Sequence, residues 1–379
     1  MWLRGTGIQL AQWIEMSVHE LRLKSDIVAQ GQYFLDEFPS TALMSNFFRT
    51  HMKRFSFGSS DLGSPLRPPP GQVPPQHPTL PAVRASHTPP ALPKGSYSDA
   101  IKRPLMKTSK FERFHALHKS GCFVIPNPWD RGSAMMLANL GFRALATTSA
   151  GLGFCLGLPD QVGSISLETT LENIKTIVEA TQLPVNADFQ DGFADSPEGV
   201  AVNVRRCVDT GVAGLSIEDA TGRDDKPLYD FDEAVERMRA ARQAIDASGQ
   251  PVLLTGRCEA WLVGDPQPLR TSLERLVAYA EAGADCLYAP GVKDPGEISQ
   301  IVSAVAPKPV NVLISSDIPG MTVASLKDLG VRRISVGSAL ARAAWGEFIR
   351  AARTIADEGV FTPFAGCAPF TELNRVFES

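Results

Sequence analysis

The chain has 379 residues, with 37 basic and 41 acidic side chains and a formal net charge of −4. This charge argues against a nucleic-acid binder, which usually presents a basic face. No stretch approaches the roughly 20 apolar residues of a membrane span. At about 100–200 residues per domain, the length allows two or three domains, or one large barrel with extensions.

The N-terminal 106 residues differ in composition from the rest. Residues 64–93 hold 11 of the 29 prolines. That density removes backbone donors and predicts an extended, disordered linker, or alternatively a docking segment for a module that binds polyproline helices. Acidic residues at Glu15, Glu20 and Asp26 argue against a mitochondrial presequence, and no apolar secretion signal is present. We therefore expect a cytoplasmic protein.

From Cys122 onward, short β-rich runs alternate with amphipathic segments about every 30 residues. Eight runs are predicted as strands: 122–126, 143–149, 184–189, 214–219, 252–257, 286–290, 310–315 and 333–338. Helices are predicted at 107–120, 167–181, 232–247, 270–283 and 339–358. Eight strand–helix pairs fit an α/β fold of the (β/α)8 TIM-barrel type. A doubly wound open sheet is the alternative, but no G-x-G-x-x-G follows the first strand.

This pattern predicts three regions. Residues 1–106 form an N-terminal extension, and residues 107–360 form the barrel. Residues 361–379 form a tail that packs on the barrel or on a neighbouring subunit. In a barrel of this kind, the active site lies where the strands end and in the loops that follow them.

Polar residues do collect at the predicted carboxyl ends of the strands. The candidate site residues are Ser149, Ala150, Gly151, Asp160, Asp188, Gln190, Glu218, Arg257 and Asn311. All six histidines precede residue 121, and the six cysteines form no C-x-x-C pair. A serine–histidine–aspartate triad or a histidine-ligated zinc therefore cannot be built from residues 121–379.

The candidate set consists of oxygen donors, one arginine and a small-residue loop. Oxygen ligands without histidine or cysteine suit Mg²⁺ or Mn²⁺. The Arg257 guanidinium is suited to bind a carboxylate or phosphate, and backbone N–H groups at 149–151 could stabilise an oxyanion. Together these groups point to a site that stabilises an enolate, with catalytic roles for Arg257, Ser149 and Glu218.

Six segments resemble the isocitrate lyase/phosphoenolpyruvate mutase superfamily, in that superfamily's order. They are PNPWDRGSA (126–134), TTSAGLGFCLGLPD (147–160), PVNADFQDGF (184–193), GLSIEDA (214–220), LLTGRCEA (253–260) and GVRRISVGS (330–338). The resemblance implies a Mg²⁺-dependent barrel that cleaves or forms C–C or P–C bonds next to a carboxylate. It also implies a homo-oligomer, a dimer or a tetramer, in which helix 339–358 is exchanged between neighbours.

The resemblance also assigns roles to the candidate residues. It implies that Asp188 binds the metal directly, while Asp160 and Glu218 act largely through water. Residues 149–151 would bind the carboxylate and oxo oxygens of the substrate. Arg257 would bind a carboxylate or phosphonate, and we add Asn311 as a further substrate contact.

The sequence departs from the superfamily at two informative places. The loop ATGRDDKPLYD (220–230) lacks the K-[KR]-C-G-H motif of isocitrate and methylisocitrate lyases, so those activities are not expected. Gln190 stands where the family usually has an acid, which removes one charge from the metal site. A barrel that has lost catalysis and binds a ligand or a partner is therefore the alternative hypothesis.

Several candidates also have purely structural interpretations. Arg257 and Glu259 are two apart and share a strand face, so they could form an ion pair. Asp219 should face away from Glu218, because alternate residues of a strand point apart. Cys258 should likewise point away from the mouth and behave as a small buried hydrophobe.

Overall fold

The computed structural model describes residues 108–378; the expected extension over 1–106 and its proline-rich segment lie outside the described residues. Eight parallel strands form one sheet in the order β1-β8-β7-β6-β5-β4-β3-β2. The strands are β1 (Phe123–Ile125), β2 (Leu145–Ala146), β3 (Val185–Asp188), β4 (Gly214–Glu218), β5 (Leu253–Arg257), β6 (Cys286–Tyr288), β7 (Val310–Leu313) and β8 (Arg333–Ser335). Each of the eight predicted runs contains one of these strands, so the barrel prediction is confirmed.

Eleven α-helices accompany the strands within the described residues. They are α1 (Lys110–Lys119), α2 (Arg131–Asn139), α3 (Ser149–Cys155), α4 (Leu167–Glu179), α5 (Pro197–Asp209), α6 (Phe231–Ser248), α7 (Pro268–Glu281), α8 (Pro295–Val305), α9 (Val323–Asp328), α10 (Ala339–Glu358) and α11 (Phe370–Phe377). The run 143–149 was predicted as strand to its end, but Ser149 begins α3. The Thr148 side chain caps that helix by accepting from the Gly151 N–H, which ends the extended backbone.

The barrel is closed by ladders everywhere except between β1 and β2. Parallel pairing joins β1 to β8 and continues strand by strand to β2. At the remaining seam, the Ala146 N–H donates to the carbonyl of Pro126 at 3.0 Å. The short β2 strand is thus held on both sides, and the ring is nearly complete.

The main apolar core lies between the outer faces of the strands and the surrounding helices. Ile177 of α4, Val204 of α5 and Leu276 of α7 are fully buried there. These helices carry apolar side chains on one face at helical spacing, so burying that face against the sheet stabilises both layers. The inside of the barrel, in contrast, contains buried polar side chains such as Asn186, Ser216 and Arg333.

Helix α1 closes the amino-terminal end of the barrel. A capping box between Ser109 and Glu112 fixes the start of this helix. Its Phe114 is fully buried and its His118 packs edge-to-face between Phe114 and Phe123. The cavity at the carboxyl ends of the strands therefore opens away from α1.

At the carboxyl end of the chain, α11 packs against α2. Val376 is 2% exposed, and a Cβ added at Gly132 would lie 3.8 Å from the Phe377 ring. In the described part of the chain, no helix is both long and apolar enough to cross a membrane.

We predict that His118 makes the protein less stable in mild acid. Burial, and next the nearby Arg333 charge, lower the pKa of His118 from 6.5 to about 3. Protonation then favours the unfolded chain, so this stability is complete above pH 6.5 and is lost as the pH falls toward 3. At pH 5 the loss is about 2 kcal/mol. Urea unfolding at pH 7.5 and pH 5 measures it.

The matched control is His115, on the same helix. A His118→Gln variant should show a flatter pH dependence, whereas His115→Gln should keep the native dependence because His118 remains. Equal pH dependence in the native protein and in His118→Gln would contradict this explanation.

Candidate active site

A cavity of about 1050 Å³ opens at the carboxyl ends of the strands. Eight of the nine predicted site residues line it: Ser149, Ala150, Asp160, Asp188, Gln190, Glu218, Arg257 and Asn311. Gly151 does not line the cavity, and its N–H donates to the Thr148 hydroxyl at 3.2 Å. The structure therefore brings together side chains that come from five different strands and the loops after them.

Arg257, the last residue of β5, lies at the centre of the acidic side chains. Its Nη1 is 2.9 Å from Glu218 Oε2 and 3.3 Å from Asp188 Oδ1. Its Nε and Nη2 both donate to the carboxylate of Glu259. The expected Arg257–Glu259 pair is present, and the same guanidinium also bridges two of the predicted metal ligands.

Asp188 is held by the start of α3. The Ser149 N–H and hydroxyl both donate to Asp188 Oδ2 at 2.9 Å, and the Asp188 N–H donates to the Thr147 hydroxyl at 2.9 Å. Of the three amides expected to stabilise an oxyanion, those of Ser149 and Gly151 are thus engaged within the protein. The Ala150 N–H has no hydrogen bond within residues 108–378.

The acidic side chains of the cavity lie close together and are partly or fully buried, which shifts the pKa values of several of them. Burial raises the pKa of Glu218 well above its usual range; the Arg257 charge opposes this, while Glu259 and Asp188 add to it. At the rim, burial and then the Asp188 charge raise the pKa of Asp160. Burial works to lower the pKa of Arg257, but Glu218 and Glu259 outweigh it and raise that pKa. Three carboxyl groups thus contact one guanidinium, which can neutralise only one of them if all are ionised.

Gln190 sits at a strained position in the loop after β3. It is 7% exposed and adopts a φ of 44°, in the left-handed region that is uncommon for residues other than glycine. Its carbonyl accepts from the Glu218 N–H at 2.9 Å. The backbone at Gln190 therefore supports Glu218, and Gln190 also lines the cavity.

Behind the cavity, Asp219 anchors the strand ends from the outer face. It accepts from the Glu259 N–H at 2.8 Å, from Arg275 Nη1 at 3.0 Å and from the Tyr279 hydroxyl at 2.6 Å. Asp219 is 3% exposed and faces away from Glu218, as alternation along the strand predicts. Cys258 is fully buried outside the cavity.

Sequence reasoning missed the polar lining of the deeper barrel. Asn186, Ser216, Thr255, Arg333 and Ser335 are all at most 7% exposed. Of these, all except Thr255 line the cavity. Their signal is a polar residue at the inward-facing position of an otherwise apolar strand. That signal becomes usable only once the inward face of each strand is known.

Two loops meet at the mouth of the cavity. Gly222, in the loop after β4, packs so closely on Val162 that an added Cβ would lie 2.6 Å from Val162 Cβ. A bridge between Ala220 and Leu228 braces the base of the Gly222 loop. Arg223 from the same loop lines the cavity, so this segment borders the opening.

The donors around Asp188 fit a hard divalent cation. Asp160, Asp188, Glu218 and Gln190 offer oxygen ligands on the cavity wall, and among residues 108–378 no histidine or cysteine lines it. The three carboxyl groups around Arg257 point the same way. Within residues 108–378, no three acidic, histidine or cysteine side chains are grouped closely enough to hold a metal by themselves. The set suits an ion that keeps several waters, as Mg²⁺ does.

A (β/α)8 barrel with an arginine-centred acidic cavity at the strand ends has the architecture of the barrel enzymes. The family model described as phosphoenolpyruvate phosphomutase matches residues 114–356, so the chain belongs to that family. This confirms the resemblance to the isocitrate lyase/phosphoenolpyruvate mutase superfamily, whose members are lyases and mutases of small carboxylates. The prediction of an enzyme of C–C or C–P bonds is confirmed, with its subclass open.

Individual relatives cover most of the barrel. An uncharacterised protein of Mycobacterium tuberculosis is 31% identical over 245 residues, covering 64% of this chain and 89% of that protein. The 2-methylisocitrate lyase of Escherichia coli K12 is 31% identical over 198 residues, or 50% of this chain and 64% of the lyase. A Burkholderia cenocepacia structure provisionally described as a lyase/mutase has a TM-score of 0.68 and 47% identity. It covers 71% of this chain and 96% of that one.

We predict that the Asp219 network contributes strongly to the stability of the fold. Asp219→Asn leaves the Arg275 charge, which is 10% exposed, without its carboxylate, and breaking such a buried pair costs about 3–5 kcal/mol. Glu168→Gln is the control, because its pair with Arg206 is exposed and should contribute less than about 1 kcal/mol. Urea unfolding of both variants tests this, and equal small losses would contradict it.

Proposed function

We propose that this protein is a divalent-metal-dependent enzyme that cleaves or rearranges a C–C or P–C bond of a small 2-oxo or 2-hydroxy carboxylate, or of a phosphonate analogue, through an enolate. The observation that carries the proposal is the convergence of Asp160, Asp188 and Glu218 in one cavity with Arg257. Members of the superfamily generally depend on a divalent metal. The lyase it resembles in E. coli acts, by its name, on 2-methylisocitrate.

Each group in the cavity has a definite task in this proposal. Asp188 would hold Mg²⁺ or Mn²⁺ directly, with Asp160, Glu218 and Gln190 acting through water. When bound, such an ion stabilises negative charge that develops on a neighbouring oxygen. Ser149 orients the Asp188 carboxylate through two hydrogen bonds, and the Ala150 N–H is available to donate to a substrate oxygen.

Arg257 has a double role in the same scheme. Its guanidinium holds Glu218, Glu259 and Asp188 in the cavity before substrate binds. A substrate carboxylate or phosphonate would compete with Asp188 and Glu218 for Nη1. Fixed charges of this kind stabilise a developing enolate without reorganising during the reaction.

The loop at 220–230, which holds no cysteine or histidine, favours one alternative. A barrel with Gln190 in place of an acid, and without the lyase gate-loop motif, could bind a small carboxylate without turning it over. This hypothesis shares the cavity and differs from the first in its outcome with substrate. A turnover assay therefore separates the two.

We expect Mg²⁺-dependent conversion of at least one member of a panel of oxaloacetate, phosphonopyruvate, 2-methylisocitrate and dimethylmalate, followed by mass spectrometry. Asp188→Asn should lower the rate at least about 100-fold, because the carboxylate that would hold the charge-stabilising metal ion is lost. Asp230→Asn is the control, since its side chain is 75% exposed and lies outside the cavity wall. Binding of oxalate without conversion of any panel member would favour the alternative.

We also propose that the protein forms a homo-oligomer through its last long helix. Trp345, Phe348 and Ile349 of α10 are 39%, 62% and 41% exposed, and Phe361 and Phe364 beyond it are 63% and 52% exposed. So much contiguous apolar surface is typical of a protein interface. A second copy of this chain is the partner that the superfamily resemblance implies.

Light scattering after gel filtration tests the assembly. The native protein should elute as a dimer or larger oligomer, and Phe348→Glu should shift it toward the monomer, because a charge would be buried in the interface. Phe231→Glu is the control, since Phe231 is 44% exposed and lies at the start of α6. A monomeric native protein would refute this proposal.

A further inference from the structure

Four arginines inside the barrel or behind its strands are largely buried, and Arg333 differs from the others. Each of the other three contacts a carboxylate within 4 Å: Arg237 with Asp191, Arg257 with Glu218, and Arg275 with Asp219. Arg333 is 3% exposed and has no ion pair with any carboxylate among residues 108–378. It is therefore a buried cation without a counter-charge.

The neighbours of Arg333 are neutral hydrogen-bonding groups. Its Nε donates to Asn311 Oδ1 at 2.9 Å, its Nη2 donates to the Thr255 hydroxyl at 3.0 Å, and its Nη1 lies 3.4 Å from His118 Nε2. The His118 Nδ1 is 2.8 Å from the Phe114 carbonyl, so His118 Nδ1–H donates there and Nε2 is left to accept. These contacts fix the guanidinium in place but do not neutralise it. An uncompensated buried charge is costly.

Arg333 is open to the active-site cavity. On the amino-terminal side, Phe114, His118 and Phe123 close the barrel. On the other side, Arg333 lines the active-site cavity. It is the register partner of Asn311, and β8 and β5 are three strands apart in the ring. The Arg333 guanidinium nevertheless reaches Thr255, two residues before Arg257 on the same face of β5, so it lies below Arg257 in the same cavity.

Arg257 and Arg333 differ in how far protein carboxylates neutralise their charges. Three protein carboxylates already contact Arg257, whereas Arg333 has none. Among the described residues, the deep end of the cavity therefore holds a positive charge that no carboxylate neutralises, whereas Arg257 is surrounded by acidic side chains.

We propose that Arg333 binds an anionic group of the substrate at the floor of the cavity and thereby selects substrates that carry two anionic groups. A dicarboxylate or a phosphonocarboxylate would have one group near Asp188 and Arg257 and the other at Arg333. The identity of this ligand as a substrate rests on the function proposed above. The selection of dianions over monoanions is a binding property and does not depend on turnover.

Calorimetry of the full-length protein in excess Mg²⁺ tests the proposal with two probes of equal carbon number, succinate and butyrate. Arg333→Met should weaken succinate binding at least 10-fold and change butyrate binding less than twofold. Arg333→Gln, which keeps a hydrogen-bonding side chain without the charge, should weaken succinate binding to a similar extent. Arg333→Lys restores a positive charge and should recover part of the succinate affinity. Unchanged succinate binding in the Met and Gln variants overturns the proposal.

Thermal unfolding without ligand separates this role from a structural one. If Arg333 serves the ligand, replacing an uncompensated buried charge by Met should leave the melting temperature unchanged or raise it. Arg275→Met, which breaks a buried ion pair, should lower it. If the melting temperature of Arg333→Met falls strongly while its selectivity for succinate stays intact, Arg333 has a purely structural role.

The panel assay keeps the two proposals distinguishable. Native protein that converts no panel substrate but binds succinate in an Arg333-dependent manner refutes the proposed enzyme function and supports the anion-binding floor. Turnover of a panel substrate, together with equal succinate binding in native protein and in Arg333→Met, supports the proposed enzyme function and refutes the anion-binding floor.

Discussion

The shared guanidinium of Arg257 is the interaction on which the candidate site depends. Asp188, Glu218 and Glu259 come from separate points of the ring, and each contacts this one cation. Without it, three acids would face one another in a partly buried space, where like charges repel strongly. The guanidinium lets a cluster of acids exist in the folded protein before any ligand arrives, and when all three acids are ionised it leaves the cluster with a net negative charge that favours a divalent cation.

Most of the fold could be predicted from local sequence pattern. β-rich runs and amphipathic segments alternate so regularly that all eight strands and the barrel class follow from periodicity and length. The error at Ser149 has a local cause, because β-branched Thr147 and Thr148 resemble strand residues while Thr148 in fact caps α3. The seam between β1 and β2 could not be predicted, since strand spacing does not show where a ring of strands lacks its ladder.

The site was predictable where polarity coincides with a strand end, as at Asp188, Glu218 and Arg257. It was not predictable where polarity lies within a strand. Arg332 and Arg333 are adjacent in sequence, yet the first donates to the Gly121 carbonyl near the surface and the second enters the barrel. The neighbouring sequence does not distinguish the two arginines, because the side of the sheet to which a side chain points is set when the whole sheet closes. Nor does the sequence show that the Ser149 and Gly151 N–H groups donate to the side chains of Asp188 and Thr148.

Helix α1 seals the end of the barrel opposite the cavity, while α11 packs where Phe377 meets Gly132, just after the carboxyl end of β1. The two ends of the described chain therefore emerge on opposite faces. Ser109 therefore lies at the back of the barrel, away from the opening. A fusion partner joined after Phe377 would stand beside the entrance and hinder diffusion into it.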